Sequence, residues 1–213
     1  MTKRILIADD HPVYRIGLTH ILRQQHDCHC LEASDGAQAI ALIEQHRPDL
    51  ALLDINMPKA GGLDVLAQTR ASSPATRFII LTLYDDFKLI ERAFDLGADG
   101  YLLKEDAEEE LLNCLQIVQA GHRYLSDSLF LSEATAGLDK ARQLKLLTPA
   151  ELRIAQLVGQ FKTSREIAEE LGISIRTVQN HRSHIAEKLG LKGNNALLHF
   201  AVKAFSTDQS SSL

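Results

Sequence analysis

The chain has 213 residues, more than most single domains, and its 45% hydrophobic and 24% charged content is typical of a soluble globular protein. No apolar run reaches the roughly 18 residues of a membrane span, and the first residues turn acidic too early for a signal peptide. We therefore expect a cytoplasmic protein without a membrane partner. The net charge of −5 is uneven, with 11 Lys+Arg against 19 Asp+Glu in residues 1–121 and 12 against 9 in residues 122–213. An acidic half joined to a mildly basic half suggests a cation site and a polyanion partner.

Five short apolar runs divide the first half of the chain, and segments of helical length separate them. Unbroken apolar runs of this length predict strands of a parallel sheet that is covered on both faces. The second run is the weakest. The sequence therefore predicts an α/β domain of five βα units over residues 1–121. The runs are residues 5–8, 28–33, 50–53, 78–83 and 101–103.

The second half of the chain has a different pattern. Residues 122–147 lack clear periodicity and predict a linker with one short helix. Helix-capping signals then recur, so residues 148–205 predict a separate all-α domain of four helices, and residues 206–213 a flexible polar tail. The capping signals are Thr148, Thr163, Ser174 and either Asn194 or Asn195.

Three cysteines without a disulfide framework are typical of a reducing compartment. Cys28 and Cys30 lie beside two histidines, but the cluster is too local for the usual zinc-ligand spacings. We favour packed thiols in a strand over a metal site. Cys114 has helical spacing from its apolar neighbours, which also indicates packing.

Charged and hydroxyl side chains lie at or near the ends of the predicted strands at Asp9, Asp10, Asp54, Thr82 and Lys104. Because functional groups gather at the carboxyl ends of parallel strands, we expect these five to converge. Three crowded carboxylates repel one another unless a cation joins them, and such oxygen ligands suit Mg²⁺. A carboxylate can also attack phosphorus and form an acyl phosphate. The alternative is that Asp54 only caps a loop and pairs with Lys104.

Residues 162–178 place a helix, a turn containing Gly and a second helix at helix-turn-helix spacing. Burial of the apolar faces leaves several side chains outward that can read base edges in the major groove. A small protein-binding bundle is the alternative. The candidate base-reading residues are Arg176, Gln179, Asn180, Arg182 and Ser183. The candidate phosphate contacts are Lys162, Thr163, Ser164, Thr177, Lys188 and Lys192.

Residues 1–121 resemble the receiver domains of two-component systems. The motifs that carry the resemblance are Asp9-Asp10, Leu53-Asp54-Ile55-Asn56-Met57-Pro58, Leu81-Thr82 and Leu103-Lys104. The family implies a flavodoxin-like (βα)5 fold in which Asp54 accepts a phosphoryl group from a sensor histidine kinase. It also implies Mg²⁺ held by Asp10, Asp54 and the Asn56 backbone carbonyl, with Asp9 assisting.

The same resemblance implies that Thr82 and Lys104 bind the phosphoryl group and that Tyr101 is a switch aromatic. A new dianionic group can draw a hydroxyl and an ammonium inward through charge-assisted hydrogen bonds. Movement of Thr82 would free space for Tyr101. A half-buried strand aromatic is the alternative interpretation of Tyr101.

Residues 148–205 resemble the LuxR-type helix-turn-helix. The matching motifs are Leu147-Thr148-Pro149-Ala150-Glu151, the segments 165–171 and 185–189, Ile173-Ser174, Thr177-Val178 and His181. The family commonly has lysine where this chain has Gln179, which leaves the operator sequence open. Residues 195–205 form either a dimer surface or the last helix of the bundle.

The two resemblances together are those of NarL/FixJ response regulators. They imply a homodimer on promoter DNA and RNA polymerase as a further partner. Two rival functions stay open. The first is a phosphatase that uses Asp54, but related enzymes carry a second Asp where this chain has Asn56, which favours a switch over an enzyme. The second is a receiver that controls oligomerisation without phosphorylation.

Overall fold

The computed structural model describes residues 3–25, 28–130, 143–191 and 196–205. The chain divides into two compact units, Met1–Ser126 and Asp127–Leu213, and each is described by itself. Within the described ranges, no helix has both the length and the apolar character needed to cross a bilayer.

The first unit is a parallel sheet with helices, as the sequence predicted. The strands are β1 (Lys3–Ala8), β2 (Cys28–Ala33), β3 (Leu50–Asp54), β4 (Arg77–Thr82), β5 (Gly100–Leu103) and β6 (Tyr124–Leu125). The helices are α1 (Pro12–Gln25), α2 (Gly36–His46), α3 (Gly62–Thr69), α4 (Phe87–Asp95) and α5 (Ala107–Gln119). The strand order β2-β1-β3-β4-β5-β6 is flavodoxin-like, with a reversal between β1 and β3.

The strand register aligns the carboxyl ends of the central strands. Every residue of β3 is buried, as expected for a strand that is covered on both faces. Asp54 pairs with Leu81, one residue before Thr82, and Thr82 pairs with Leu103, one residue before Lys104. The apolar strand interiors thus fix three of the predicted site residues at one edge.

The sixth strand was not predicted, and it lies within the segment interpreted as a linker. Tyr124 and Leu125 are buried beside β5. The Ser126 N–H donates to the Tyr101 carbonyl at 3.0 Å, and the Leu103 N–H donates to the Ser126 hydroxyl at 2.9 Å. A strand of two residues carries no periodicity, so no sequence pattern indicates it. The predicted linker start at residue 122 therefore differs from the structure, in which residues 124–126 belong to the first unit.

A 3-10 helix, Asp127–Phe130, opens the second unit. The all-α domain then consists of α6 (Pro149–Gly159), α7 (Ser164–Leu171), α8 (Ile175–Lys188) and α9 (Ala196–Phe205). Thr148 and Thr163 each form a capping box, and Ser174 caps α8. The predicted cap at Asn194 or Asn195 and the tail at residues 206–213 lie outside the described residues.

Helix α9 packs closely against α6. Leu197, Leu198, Ala201 and Ala204 are buried. A Cβ at Gly159 would lie only 2.7 Å from the Ala201 carbonyl oxygen, so the two helix backbones approach closely at this glycine. Of the two interpretations of this segment, its apolar face therefore completes the bundle.

Candidate functional site

The acidic pair follows β1 directly, and backbone contacts fix its first member. Asp9 is fully buried, and its N–H donates to the Ala33 carbonyl at 3.1 Å, which extends the pairing of β1 with β2. The Arg15 guanidinium donates to the Asp9 carbonyl at 2.7 Å. The Asp10 side chain is 35% exposed, so the pair has one inner and one outer carboxylate.

Lys104 joins the carboxylates of two strands. Its Nζ lies 2.7 Å from Oδ2 of Asp9 and 2.9 Å from Oδ2 of Asp54. Burial alone would lower the pKa of Lys104, but hydrogen bonds with these carboxylates raise it above its ordinary value. The side chain of Lys104, 9% exposed, is therefore a cation held between two carboxylates by charge-assisted hydrogen bonds.

Asp54 itself is 4% exposed. Burial raises the pKa of its carboxyl group, whereas Lys104 and the Asn56 backbone N–H, which donates to the carboxylate, oppose the rise. A carboxylate that is buried but paired stays available for chemistry because the lysine holds its charged form. The alternative of a loop cap with a surface ion bridge to Lys104 includes this pairing, but the low exposure of both side chains places the pair inside the fold rather than on its surface.

Four side chains of this pocket have the types and spacing of metal ligands. One ligand atom from each of Asp9, Asp10, His11 and Asp54 lies within 4.8 Å of the others. Oxygen donors dominate the set, as hard divalent cations require. Sequence reasoning missed His11, although the signal was its position directly after the acidic pair.

Thr82 and Tyr101 are both hydrogen-bonded to Tyr84, a residue that no sequence motif indicated. The Thr82 hydroxyl accepts the Tyr84 N–H at 3.2 Å, and the Tyr101 hydroxyl donates to the Tyr84 carbonyl at 2.8 Å. The Asn56 amide in turn donates to the Tyr84 hydroxyl at 2.7 Å. Tyr101 is fully buried rather than half-buried, and this burial raises its pKa. The position of Tyr84, two residues after Thr82, was the sequence signal that could have identified it.

The loop after Asp54 is held against the start of α2. Lys59 Nζ lies 2.7 Å from Oδ2 of Asp35, and the Gly36 N–H donates to the Pro58 carbonyl at 3.1 Å. A Cβ at Gly36 would lie 2.0 Å from the Ala60 carbonyl oxygen. Only glycine permits this approach, so Gly36 positions the loop that follows the candidate phosphoacceptor.

In the second unit, α8 exposes most of the predicted base-reading residues. Val178 and Ile185 are buried in the bundle. The opposite face of the helix, which we call the reading face, consists of Arg176, Gln179, Asn180 and Ser183, all exposed. Thr177 is partly buried and lies 2.8 Å from the Ser174 hydroxyl, at the helix start.

Several predicted phosphate contacts instead bind other parts of the fold. Thr163 is buried as the α7 cap, and Ser164 is buried and accepts a hydrogen bond from Arg182 at 3.1 Å. Lys188 Nζ lies 2.7 Å from both carboxylate oxygens of Glu151. Lys162 pairs with Glu170. Lys192 lies outside the described residues.

The cysteines have the environment of packed thiols. The Sγ atoms of Cys28 and Cys30 lie 3.7 Å apart on β2, and burial raises the pKa of Cys30 to about 11. Cys114 is buried in the core of the first unit. Within the described ranges, the acidic pocket is the only group of three or more potential metal ligands.

Comparisons with known proteins agree with this architecture. The family model of the response regulator receiver domain matches residues 5–116, and that of the bacterial regulatory proteins of the luxR family matches residues 145–201. Oxygen regulatory protein NreC of Staphylococcus aureus is 35% identical over 210 residues, which cover 94% of this chain and 97% of that protein.

Two solved structures extend the comparison. The receiver domain of the response regulator NarL from Mycobacterium tuberculosis is 34% identical, with a TM-score of 0.52 over 55% of this chain and 97% of that one. The response regulator RcsB of Salmonella typhimurium shares the fold at 23% identity, with a TM-score of 0.56 over 95% of this chain and 98% of that one. The chain therefore belongs to the NarL/FixJ-type response regulators, which join a receiver domain to a LuxR-type DNA-binding domain.

Proposed function

We propose that Asp54 accepts a phosphoryl group from a sensor histidine kinase in the presence of Mg²⁺, and that this modification controls binding of a homodimer to promoter DNA. The observation that carries the first part is the buried Asp54 carboxylate, 2.9 Å from Lys104 Nζ and within 4.8 Å of the other acidic ligands. The exposed reading face of α8 supports the second part.

In the transfer step, an Asp54 oxygen attacks phosphorus of a phosphohistidine. The new O–P bond forms as the N–P bond breaks, and the leaving imidazole takes up a proton. Because Asp54 is 4% exposed, its attacking oxygen has little hydration to lose as it approaches phosphorus. The product is an acyl phosphate stored on β3.

Positive charge and positioned donors stabilise the transferring oxygens. Mg²⁺, bound by the carboxylates of Asp10 and Asp54 and the Asn56 carbonyl, with Asp9 assisting, would neutralise part of the phosphoryl charge. Lys104 exchanges one of its carboxylate partners for a phosphoryl oxygen. The Thr82 hydroxyl, now an acceptor from the Tyr84 N–H, can donate its proton to a second oxygen.

The switch would pass through Tyr84. Since the Tyr84 N–H bonds to Thr82 and its carbonyl bonds to Tyr101, any movement of the Thr82 hydroxyl shifts the residue that holds the Tyr101 hydroxyl. We therefore keep Tyr101 as the proposed switch aromatic, with Tyr84 as the connecting residue.

The modification is tested by intact-mass measurement after incubation with a small phosphodonor and Mg²⁺. We expect one added phosphoryl group, lost on treatment with hydroxylamine because an acyl phosphate is cleaved by this nucleophile. Asp54→Ala should abolish the addition, and Asp64→Ala, which removes an exposed carboxylate on α3, should not. No addition to wild-type protein contradicts the proposal and favours the non-phosphorylated rival, and an addition that persists in Asp54→Ala contradicts it by placing the modification on another residue.

The DNA-binding part is tested by selection from a randomised duplex library with phosphorylated protein. Dimeric regulators of this kind bind half-sites related by two-fold symmetry, so we expect an enriched palindrome. Asn180→Ala should change the base preference within each half-site, because Asn can read adenine with two hydrogen bonds. Gln160→Ala removes an exposed amide outside α8 and should leave the preference unchanged. An unchanged preference in Asn180→Ala and Arg176→Ala together would contradict docking through the reading face.

Storage of the phosphoryl group, rather than turnover, follows from Asn56. Phosphatases of the rival class usually carry a second Asp two positions after the nucleophile, where this chain has Asn56, and the Asn56 amide is bonded to Tyr84. We expect no more than slow hydrolysis of the bound phosphoryl group in a steady-state phosphatase assay. Many turnovers that disappear in Asp54→Asn would instead favour the enzyme.

A further inference from the structure

The residue after the acidic pair directs a ring nitrogen at the candidate metal pocket. His11 Nδ1 lies 2.7 Å from Oδ1 of Asp10 and 3.2 Å from Oδ1 of Asp9. The His11 backbone N–H also donates to Oδ1 of Asp9 at 2.9 Å, which fixes the position of the residue against this carboxylate. The imidazole is therefore placed by the same loop that places the two acids.

These distances match the spacing of ligands around one ion. Two ligands about 2.1 Å from an octahedral ion, on adjacent corners, lie about 3.0 Å apart. The distances from His11 Nδ1, 2.7 and 3.2 Å, bracket this value, and they equally fit the ion pair that is considered below. Lys104 occupies the other oxygens, Oδ2 of Asp9 and Oδ2 of Asp54, so it does not compete for the oxygens that face the imidazole.

We propose that His11 is a nitrogen ligand of this pocket, which therefore binds borderline divalent ions such as Ni²⁺ and Co²⁺ more tightly than Mg²⁺. Carboxylate and carbonyl oxygens suit Mg²⁺, whereas imidazole suits transition metals. A pocket with one imidazole beside three carboxylates combines both preferences. This inference rests on the cation site of the proposed function and adds a ligand and a class of competing ions to it.

A simpler role for His11 is an ion pair in which the protonated ring donates to Asp10. The two roles differ in what a metal does, because a ligand must give up its proton and point a lone pair at the ion. The side chain of His11 is 70% exposed, so exchange of the proton for an ion requires no rearrangement of the core. Direct binding measurements therefore separate the two roles.

The experiment is calorimetric titration of the untagged full chain with Ni²⁺ alone and with Mg²⁺ alone. We expect wild-type protein to bind Ni²⁺ more tightly than Mg²⁺. His11→Ala should lower the Ni²⁺ affinity by about tenfold or more, since even a group that only positions a metal ligand contributes about 10- to 100-fold. Its Mg²⁺ affinity should change less than about twofold, because Mg²⁺ prefers oxygen ligands.

His20→Ala is the matched control, since His20 is exposed on α1 and its ring contacts Gln24. It should leave both affinities unchanged. Pulsed electron paramagnetic resonance of protein with one equivalent of Cu²⁺ adds a readout of the ligand itself. Wild-type protein should show couplings to imidazole nitrogen, and His11→Ala should lose them.

The measurements distinguish failure of the His11 inference from failure of the proposed cation pocket. If Mg²⁺ binding depends on Asp10 but His11→Ala leaves the Ni²⁺ affinity and the nitrogen couplings unchanged, His11 is only an ion-pair partner and this inference is overturned. If Asp10→Ala changes the binding of neither ion, the cation pocket of the proposed function is overturned together with it.

Discussion

The acidic pocket of the first unit and the reading face of the second hold their polar side chains in opposite ways. In the pocket, Lys104 binds two buried carboxylates, so the charged groups lie against partners of opposite sign inside the fold. On α8, the side chains of Arg176, Gln179 and Asn180 are exposed. A substitution in the pocket should therefore alter chemistry and stability together, whereas one on the reading face should alter recognition alone.

The largest effect is expected for Lys104→Met. The variant leaves Asp9 and Asp54 buried without their shared cation and removes a donor to the transferred phosphoryl group. We expect phosphorylation by a small donor to slow by about 100-fold or more, the usual effect of losing one such donor. Time-resolved intact-mass measurement provides the rate. Lys88→Met removes an exposed lysine on α4 and should leave the rate unchanged, so equal losses in both variants would refute the role of Lys104.

Gly36→Ala tests whether the loop after Asp54 depends on its close backbone contact. A Cβ would meet the Ala60 carbonyl oxygen at 2.0 Å, so we expect a loss of about 1–3 kcal/mol in the free energy of unfolding of the first unit, or more. Gly17→Ala is the counterpart within α1, where a Cβ meets nothing within 4 Å. It should stabilise by about 0.5–1 kcal/mol. Urea unfolding measures both, and equal effects would exclude the contact as the cause.

The Lys188→Met variant tests whether Lys188, a candidate phosphate contact, mainly stabilises the second unit through Glu151. Hydrogen bonds from Lys188 and Thr148 lower the pKa of Glu151 to about 2. Because Lys188 is 40% exposed, solvent screens part of the pair, and we expect a loss of about 1 kcal/mol in the stability of the second unit. Lys203→Met, an exposed lysine on α9, should change stability by less than about 0.5 kcal/mol.

The Lys188–Glu151 ion pair also predicts that the stability of the second unit depends on pH. Since the pKa of Glu151 is lower in the folded state than its ordinary value near 4.5, its contribution to stability is complete above that value and is lost as the pH falls toward 2. Lys188→Met should flatten stability between pH 5 and pH 2 relative to wild-type protein, as thermal unfolding at each pH would show. Parallel pH profiles in the two proteins would show that the Lys188–Glu151 pair does not cause this pH dependence.

The smallest effect is expected for Gln179→Lys, which introduces the residue that the LuxR-type family commonly has. The side chain is exposed, so the free energy of unfolding should change by less than about 0.5 kcal/mol. Binding to duplex DNA should strengthen a few-fold, and the slope of log affinity against log salt should steepen by about one. Binding measured at several salt concentrations tests this, and an unchanged slope would place position 179 away from the phosphates.

The sequence was sufficient for five strands of the sheet and for the carboxylates and the lysine of the acidic pocket, but not for His11. Unbroken apolar runs mark strands that are covered on both faces, and the residues at the carboxyl ends of these runs lie at the common edge, so Asp54, Thr82 and Lys104 could be placed. Tyr84 was missed because its role depends on backbone contacts with two strands. Strand β6 was missed because two residues carry no pattern.

The second unit shows a different limit of sequence reasoning. Helix periodicity placed the exposed face of α8, but it gave no pairing partners. Lys188 and Ser164 have the chemistry of phosphate contacts, and only the three-dimensional structure shows that Glu151 and Arg182 bind them. A long cationic side chain can reach partners on several helices, so its partner cannot be read from its own element.

The short strand β6 joins the end of the first unit to β5, the strand that precedes the pocket lysine. Ser126 accepts a hydrogen bond from the backbone of Leu103, the residue that precedes Lys104 in the chain. A displacement of the segment that leaves the first unit would therefore move the peptide unit next to the pocket lysine. A displacement of that lysine would move the segment in return. The segment by which the chain leaves this unit is thus hydrogen-bonded to β5, the strand that ends immediately before the pocket lysine.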